Sequence, residues 1–394
     1  MTSNKNQHPA TTSVTAGRDG SNSLAPTLST SSTWSSSGLE ESNRQANALH
    51  QTGNYSRYAN PTVEAFEHAI AELENTQAAL AFASGMGAVS SVVLALCSTG
   101  DHIVAQRNCY AGTYAFLVGP CARLGIDVTF VDGRNVQEFA AAMRPGKTML
   151  VMAESPSNPH IDLVDLTELG KIKGPFTLVD STLATPLAQR PHDHGVSIVL
   201  HSATKGIAGH NDATLGVIAA DSDLISDIWA YAVLHGATAS PFDAMNGLRG
   251  IRTLDVRLAR QSDSAQQLAE WLLTQKNVTG VHYPGLKSHP QHELAVKQMN
   301  YFGSVLSFEI AGGKPAASKL LSALKLVRPA VTLGGPETLI SHSASSTHNS
   351  VDIETKTKTG LTDSLLRLSI GLEACVDIKN DLASALALTN LLNN

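Results

Sequence analysis

Short apolar runs alternate with helical patterns from residue 78 onward, and this alternation limits the possible folds more than any other feature. The strand-like runs are 78–83, 102–105, 127–131, 149–153, 177–179, 198–200 and 215–219. Each is too short for a typical helix and apolar on both faces, as strands are when helices cover both sides of their sheet. Helical patterns such as 136–143 fall between them. The expectation is an α/β fold with a mostly parallel sheet. In such a sheet ligands gather at the carboxyl ends of the strands, so the turns after the apolar runs are where chemistry should be sought.

Downstream, a helical region over 242–276 carries Leu248, Ile251, Leu254, Leu258, Leu268, Trp271 and Leu272, and its length suits a connector. Strand-like runs at 281–283, 305–310 and 366–370 then alternate with helices near 316–324 and 378–392, which predicts a smaller α+β domain. Upstream, residues before 50 are rich in Ser, Thr, Asn and Gly, and about the first twenty are expected to be disordered. Order is expected from Asn60-Pro61, an N-cap followed by proline at the first helical position. Val63, Phe66, Ile70 and Leu73 then mark one apolar helix face. The chain divides into an arm over 1–60, a large domain over 61–255 and a C-terminal domain over 256–394.

A length of 394 residues with 42% hydrophobic side chains suffices for two cores. A charged share of only 16% points to extensive buried surface, including an oligomer interface. The net charge of −6 without basic blocks argues against nucleic-acid and membrane-surface partners. No stretch approaches the roughly 18 apolar residues of a membrane span, and the N-terminus lacks the pattern of a secretory signal. Cys97, Cys109, Cys121 and Cys375 show no paired spacing and read as reduced thiols of a cytoplasmic protein.

Lys205 follows the run 198–200 within Ser202-Ala203-Thr204-Lys205-Gly206. A rigid mount at a strand end suits a lysine that attacks an aldehyde, and hydroxyls beside it suit a phosphate. Taken alone it is also an ordinary surface lysine. Asp180 ends the neighbouring run and would face the same crevice, where a carboxylate can pair with a pyridinium nitrogen. Its plain alternative is a helix cap. Ser84-Gly85-Met86-Gly87 opens a helix, and free N–H groups there cradle a phosphate. Tyr110, after the run 102–105, can stack on a planar ring or serve as a half-buried core residue.

These residues stand among ordered motifs: Tyr55-Ser56-Arg57-Tyr58-Ala59-Asn60-Pro61-Thr62, the Ser-Gly-Met-Gly turn, Glu154-Ser155-Pro156-Ser157-Asn158-Pro159, Val179-Asp180-Ser181-Thr182, Ser202–Lys205 and Leu366-Arg367-Leu368-Ser369-Ile370-Gly371-Leu372-Glu373. From about residue 50 to the C-terminus the chain resembles the Cys/Met-metabolism enzymes that depend on pyridoxal 5'-phosphate, the cystathionine γ-synthase, cystathionine γ-lyase and methionine γ-lyase group. The resemblance implies fold type I of the PLP-dependent transferases, aspartate aminotransferase-like. It implies that Lys205 holds the cofactor as a Schiff base and shuttles protons between the substrate's Cα and Cβ. Asp180 would pair with the pyridine nitrogen. Gly85, Met86, Ser202 and Thr204 would bind the phosphate, with Thr182 also at the cofactor. Tyr110 would stack on the ring and assist the leaving group, and Asn158 would touch its phenolic oxygen. Arg367, with Thr332 and Asn158, would bind the substrate. Tyr55 and Arg57 would reach the phosphate of an adjacent subunit, in a homo-oligomer, a tetramer of active-site-sharing dimers.

The chain departs from that family at several points. Gly206 stands where tyrosine usually follows the lysine, and Ser181-Thr182-Leu183 where Asn-Thr-Phe is common. Val331 stands where cystathionine enzymes commonly carry glutamate, which suggests a shorter or more apolar substrate. Against that, Gly112 stands where methionine γ-lyases typically have cysteine.

His192 and His194 have the look of a metal pair but lack further ligands nearby, and no metal is expected. His342 and His348 flank a Ser-rich loop and read as structural or substrate-proximal, while Trp229 and Trp271 read as core. The leading functional expectation is γ-elimination from an amino acid. The alternatives are γ-replacement by a thiol, expulsion of a non-sulfur group such as halide, and a cofactor-binding regulator without catalysis.

Overall fold

The computed structural model describes residues 7–18, 22–48, 50–349 and 352–389. The expected mostly parallel sheet is present. Its strands are β1 (Ala78–Phe82), β2 (His102–Gln106), β3 (Asp127–Val131), β4 (Thr148–Glu154), β5 (Phe176–Asp180), β6 (Ile198–His201) and β7 (Gly216–Ala220), in the order β1-β7-β6-β5-β4-β2-β3. β7 runs antiparallel to both β1 and β6. The remaining pairs are parallel.

Both faces are covered, which is why the strands lack alternation. Leu178, Ile198, Leu200 and Ile218 pack on one face with Val89 and Val92 of helix Gly85–Leu96 and Ile225 and Ile228 of helix Ser222–His235. On the other face Val217 and Ala219 meet Phe66 and Ile70 of helix Pro61–Glu74. Each such fully buried aliphatic or aromatic side chain contributes about 1.5–3 kcal/mol. Helix Pro61–Glu74 starts as expected: Asn60 Oδ1 accepts from the Thr62 N–H at 3.0 Å, with Pro61 in the first turn.

The second sheet comprises β8 (Val278–His282), β9 (Val305–Ile310), β10 (Arg328–Pro329), β11 (Leu339–His342) and β12 (Leu365–Ser369), ordered β10-β11-β12-β9-β8. Leu306, Phe308, Leu366 and Leu368 share a core with helices Gly313–Ala323 and Cys375–Thr389 and with Leu268 and Leu272. The part of the expected terminal helix beyond Thr389 lies outside the described residues.

Three expectations need correction. Disorder does not extend over residues 7–18. Helix Pro9–Thr15 packs on helix Pro61–Glu74 and on helix Leu254–Leu272, with Ser13 and Ala16 each 1% exposed. Small residues gave that helix no periodic apolar signal to read. Order also precedes Asn60, since Leu39–Ala46 is helical. The connector is two helices, Pro241–Ile251 and Leu254–Leu272. At the break, the Gly250 carbonyl accepts from the Thr253 N–H at 3.1 Å and from Arg257 Nη2 at 2.8 Å. The same guanidinium donates to Gly206 O at 2.8 Å and Ile207 O at 3.2 Å. Burial pulls its pKa down to about 10.

Candidate active site

A cavity of about 330 Å³ opens at the carboxyl ends of β4, β5 and β6 and is closed on the far side by the loop between β10 and β11. Lys205, Asp180, Gly85, Met86, Tyr110, Asn158, Thr182, Ser202, Thr204, Thr332 and Arg367 all line it. The strand order explains the gathering. Asp180 is the last residue of β5, Ser202 to Lys205 follow β6, and Asn158 follows β4, so adjacent strands deliver them to one edge.

Lys205 Nζ donates to Thr332 Oγ1 at 2.8 Å. Burial, and secondarily the Arg367 charge, lower the Lys205 pKa below the ordinary lysine value, which raises its neutral, nucleophilic fraction. Asp180 accepts from the Thr182 N–H at 3.0 Å. Burial raises its pKa, while the Thr182 bonds and His201 pull it back. Thr182 Oγ1 in turn accepts from the Ser202 N–H at 2.7 Å, tying the β5 turn to the β6 turn.

The glycine turn is a helix N-terminus: Ser84 Oγ accepts from the Gly87 N–H at 3.0 Å, which leaves the Gly85 and Met86 N–H groups directed outward. A Cβ at Gly85 would sit 2.9 Å from Ser202 Cβ, so only glycine lets this turn approach the hydroxyl. Thr204 Oγ1 donates to Leu215 O at 3.1 Å and accepts from the Leu215 N–H at 2.9 Å. Its hydroxyl proton is therefore spent on the backbone, leaving Ser202 the better hydroxyl donor for an anion.

Arg367 on β12 is 2% exposed. Nη1 donates to Asn158 Oδ1 at 3.0 Å, and Nη2 to the carbonyls of Val331 at 3.2 Å and Thr332 at 3.1 Å. Its Nε is buried without a partner among the described residues. A fixed guanidinium with an unused donor beside a cavity is suited to a carboxylate ligand. Burial lowers its pKa to about 10.

Tyr110 caps helix Ala111–Phe116, is 42% exposed and faces the cavity. A Cβ at Gly112 would lie 2.5 Å from its Cε1 and 3.2 Å from Met86 Sδ, so the ring occupies the space a side chain at 112 would need. A Cβ at Gly206 would meet the Thr185 methyl at 2.9 Å. Val331 stands at the cavity's edge, 62% exposed.

Tyr55 and Arg57 are not brought to this cavity. Arg57 Nη1 donates to Val233 O at 2.7 Å and its guanidinium lies 4.7 Å from the Tyr58 ring centroid, while Tyr55 is 43% exposed. His192 bonds Val196 O at 3.1 Å and His194 bonds Thr167 Oγ1 at 2.8 Å, both through Nδ1. His342 lies between Ser345 and Asp363, whereas His348 is buried beside Thr347, a residue of the cavity wall. Trp229 and Trp271 are half-buried at the margins of cores. The Trp229 Nε1–H reaches Tyr58 O at 3.0 Å, and Lys379 Nζ lies 5.7 Å from the Trp271 ring centroid.

Glu154, the first residue of the motif Glu154–Pro159, is the cavity residue that sequence reasoning misses. It ends β4, faces the cavity, and is the Cα partner of Asp180 across the β4–β5 ladder. Burial and the Asp180 charge push its pKa well above the usual carboxylate range. The signal that exposed Asp180, an acid ending a doubly apolar strand, applies equally to Glu154.

The phosphate cradle, Asp180 in the crevice and a half-buried lysine of lowered pKa together fit pyridoxal phosphate. Among the described residues the cavity's cations are Lys205 and Arg367 alone. No described helix is long and apolar enough to cross a membrane.

Residues 10–387 match the sequence profile described as Cys/Met metabolism PLP-dependent enzyme. The chain is 41% identical over 370 residues to an L-methionine gamma-lyase of Fusobacterium nucleatum subsp. polymorphum, covering 92% of this chain and 93% of that protein. It is 40% identical over 336 residues to an O-succinylhomoserine sulfhydrylase of Pseudomonas aeruginosa, covering 84% and 83%. A solved cystathionine gamma synthase of Xanthomonas oryzae pv. oryzae, in complex with aminoacrylate and cysteine, superposes with a TM-score of 0.91 at 34% identity, over 98% of this chain and 99% of that one.

Proposed function

The chain belongs to the Cys/Met-metabolism PLP-dependent enzymes, and from that premise we propose that it eliminates a γ-substituent from an amino acid with an uncharged side chain, in the manner of a methionine γ-lyase. The observation that carries this reading is the make-up of the cavity. Among the described residues Arg367 is its one guanidinium, and Val331 stands at the mouth with Leu333 behind it, rather than a charge that would greet a distant ammonium.

Gly85, Met86 and Ser202 would hold the cofactor's phosphate, with Thr204 and Thr182 shaping the wall behind it. Asp180 would face its ring nitrogen, and Tyr110 would cover one face of the ring. When bound, the cofactor supplies an electron sink for charge released at Cα and Cβ of the substrate. Lys205, kept partly neutral by burial, would take the Cα proton and then move the Cβ proton. Arg367 would hold the substrate carboxylate through its unused donor while Asn158 and Thr332 keep it aimed. Tyr110 would deliver a proton to the departing γ-group.

Among the described residues the phosphate cradle has no cation of its own, and Arg57 with Tyr55 lies elsewhere on the same chain. This supports a dimer in which each arm serves its neighbour's cofactor, within a tetramer. The reading of the chain as an arm over 1–60, a large domain over 61–255 and a C-terminal domain over 256–394 is supported by the two separate sheets, one before and one after residue 255. The protein is proposed to act in the cytoplasm.

The test is a panel of methionine, cystathionine, cysteine, O-acylhomoserines and γ-halogenated amino acids, read by keto-acid and ammonia release. Release from methionine without added thiol is the expected result. Product formed only when a thiol is supplied would instead establish γ-replacement, which the exposed mouth at Val331 would allow by admitting a second reactant. No turnover of any member, or a visible cofactor band that survives Lys205→Ala, would end the proposal.

A further inference from the structure

Two carboxylates stand side by side at the rim of the large sheet, and they are used differently. Asp180 is held from Thr182 and otherwise faces the cavity. Glu154, 4% exposed, has both oxygens occupied by main-chain donors: Oε2 accepts from the Tyr110 N–H at 2.7 Å and Oε1 from the Asn158 N–H at 2.7 Å. Its own N–H donates to Gln106 Oε1 at 2.9 Å, and Gln106 Nε2 donates to Asn108 O at 2.9 Å. One side chain thereby joins the turn after β2 to the turn after β4. The two residues it grips both line the cavity, and Asn158 in turn accepts from Arg367.

We propose that Glu154 is a positioning residue that brings no group to the substrate. It fixes Tyr110 over the cofactor ring and, through Asn158, the aim of Arg367. The roles of Tyr110, Asn158 and Arg367 in this statement rest on the proposed function. A carboxylate is the group the geometry requires, because both oxygens face N–H donors and only the ionised group accepts at both. Those two donors and the Arg367 charge favour ionisation against the burial and Asp180 charge that oppose it. Two short, charge-assisted bonds to backbone leave the turns little room to drift, and an ångström of drift at such a site is worth on the order of 100-fold in rate. Glutamine has the same shape but a single acceptor, so its amide NH₂ would oppose one of the two N–H donors. Aspartate keeps the charge but falls a methylene short of both.

The experiment uses Glu154→Gln and Glu154→Asp in the full chain, read three ways. Amide hydrogen exchange of the cofactor-free protein is followed at Tyr110 and Asn158. Visible circular dichroism of the holoenzyme reports ring orientation, and kcat and KM are measured for whichever amino acid it turns over. The expected result is exchange faster by about tenfold at one or both amides, roughly one lost hydrogen bond, with distant amides and the thermal midpoint little changed. It includes an altered dichroic band and a kcat/KM lower by roughly 10- to 100-fold. Unchanged exchange at both amides in either folded variant, or an unchanged dichroic band and kcat/KM, would overturn it. Should glutamine prevent folding, the aspartate variant carries the same readouts. Exchange in the cofactor-free protein does not depend on which reaction is catalysed, so failure of the brace and failure of the proposed function are told apart.

Discussion

Lys205 and Thr332 meet across the two sheets: the Nζ that follows β6 donates to the Oγ1 on the loop between β10 and β11 at 2.8 Å. The bond ties the proposed nucleophile to the smaller half of the molecule before any substrate arrives. An acceptor there favours the ammonium form, against the burial and Arg367 charge that oppose it.

Thr332→Val removes that acceptor while keeping the shape. The Lys205 pKa should fall further, so the pH midpoint for capture of pyridoxal phosphate by the cofactor-free protein should move down. Up to about one pH unit is expected from a hydrogen bond of this kind. Stopped-flow capture rates across pH give the answer; a midpoint that stays put or climbs contradicts the bond's role.

Asp180→Asn tests the sign of a raised carboxylate pKa. Because folding raises the Asp180 pKa, the folded state binds more protons than the unfolded one between the ordinary value of 3.8 and the raised value. The ionised group therefore subtracts stability above that window. The cofactor-free variant should melt at a higher temperature than the parent at neutral pH, and the gap should close as pH falls below the window. The same variant should bind the cofactor more weakly and lose most activity. A lower melting temperature at neutral pH would refute the assignment.

Arg367→Lys should raise KM for the amino acid by roughly 10- to 100-fold, the worth of one or two charge-assisted hydrogen bonds. A lysine cannot hold Asn158 Oδ1 and the Val331 and Thr332 carbonyls at once. Steady-state kinetics with a melting curve as control separate this from misfolding, and an unaltered KM would remove Arg367 from the substrate site.

Val331→Glu places a carboxylate at the mouth. The ratio of kcat/KM for cystathionine to that for methionine should rise by up to about fivefold, the scale of a solvent-exposed ion pair, and the gain should shrink in high salt. A ratio that does not move would show that the far end of the substrate never passes Val331.

Much of this molecule could be read from residues alone. The doubly apolar runs located all seven strands of the large sheet, because covered strands have no polar alternation to blur them. Asp180 is marked because a polar residue ending such a run has a direction built in, while Lys205, beyond the end of its run, gains meaning only beside Asp180 and the glycine turn. Strand polarity was not legible: the run at 215–219 has the same composition as its neighbours, yet β7 is antiparallel, which depends on the connection and not on the strand. Helix Pro9–Thr15 was missed because Ala, Ser and Thr bury well without announcing it. Helix Ser222–His235 was represented only by Trp229. Glu154 escaped for a different reason: its partners are backbone N–H groups, which every residue has and no sequence pattern marks. The fully buried Glu74, at the end of helix Pro61–Glu74, and His201, at the end of β6, lie 2.6 Å apart and are likewise a pair that only the fold brings together.

Arg257 reaches from helix Leu254–Leu272 into the segment just past Lys205, holding the carbonyls of Gly206, Ile207 and Gly250 in one guanidinium. That helix also carries Leu268 and Leu272 into the core of the smaller sheet. The helix that enters the smaller core therefore also braces the segment that follows the lysine. One guanidinium thus couples the packing of the smaller sheet to the backbone on which the lysine stands.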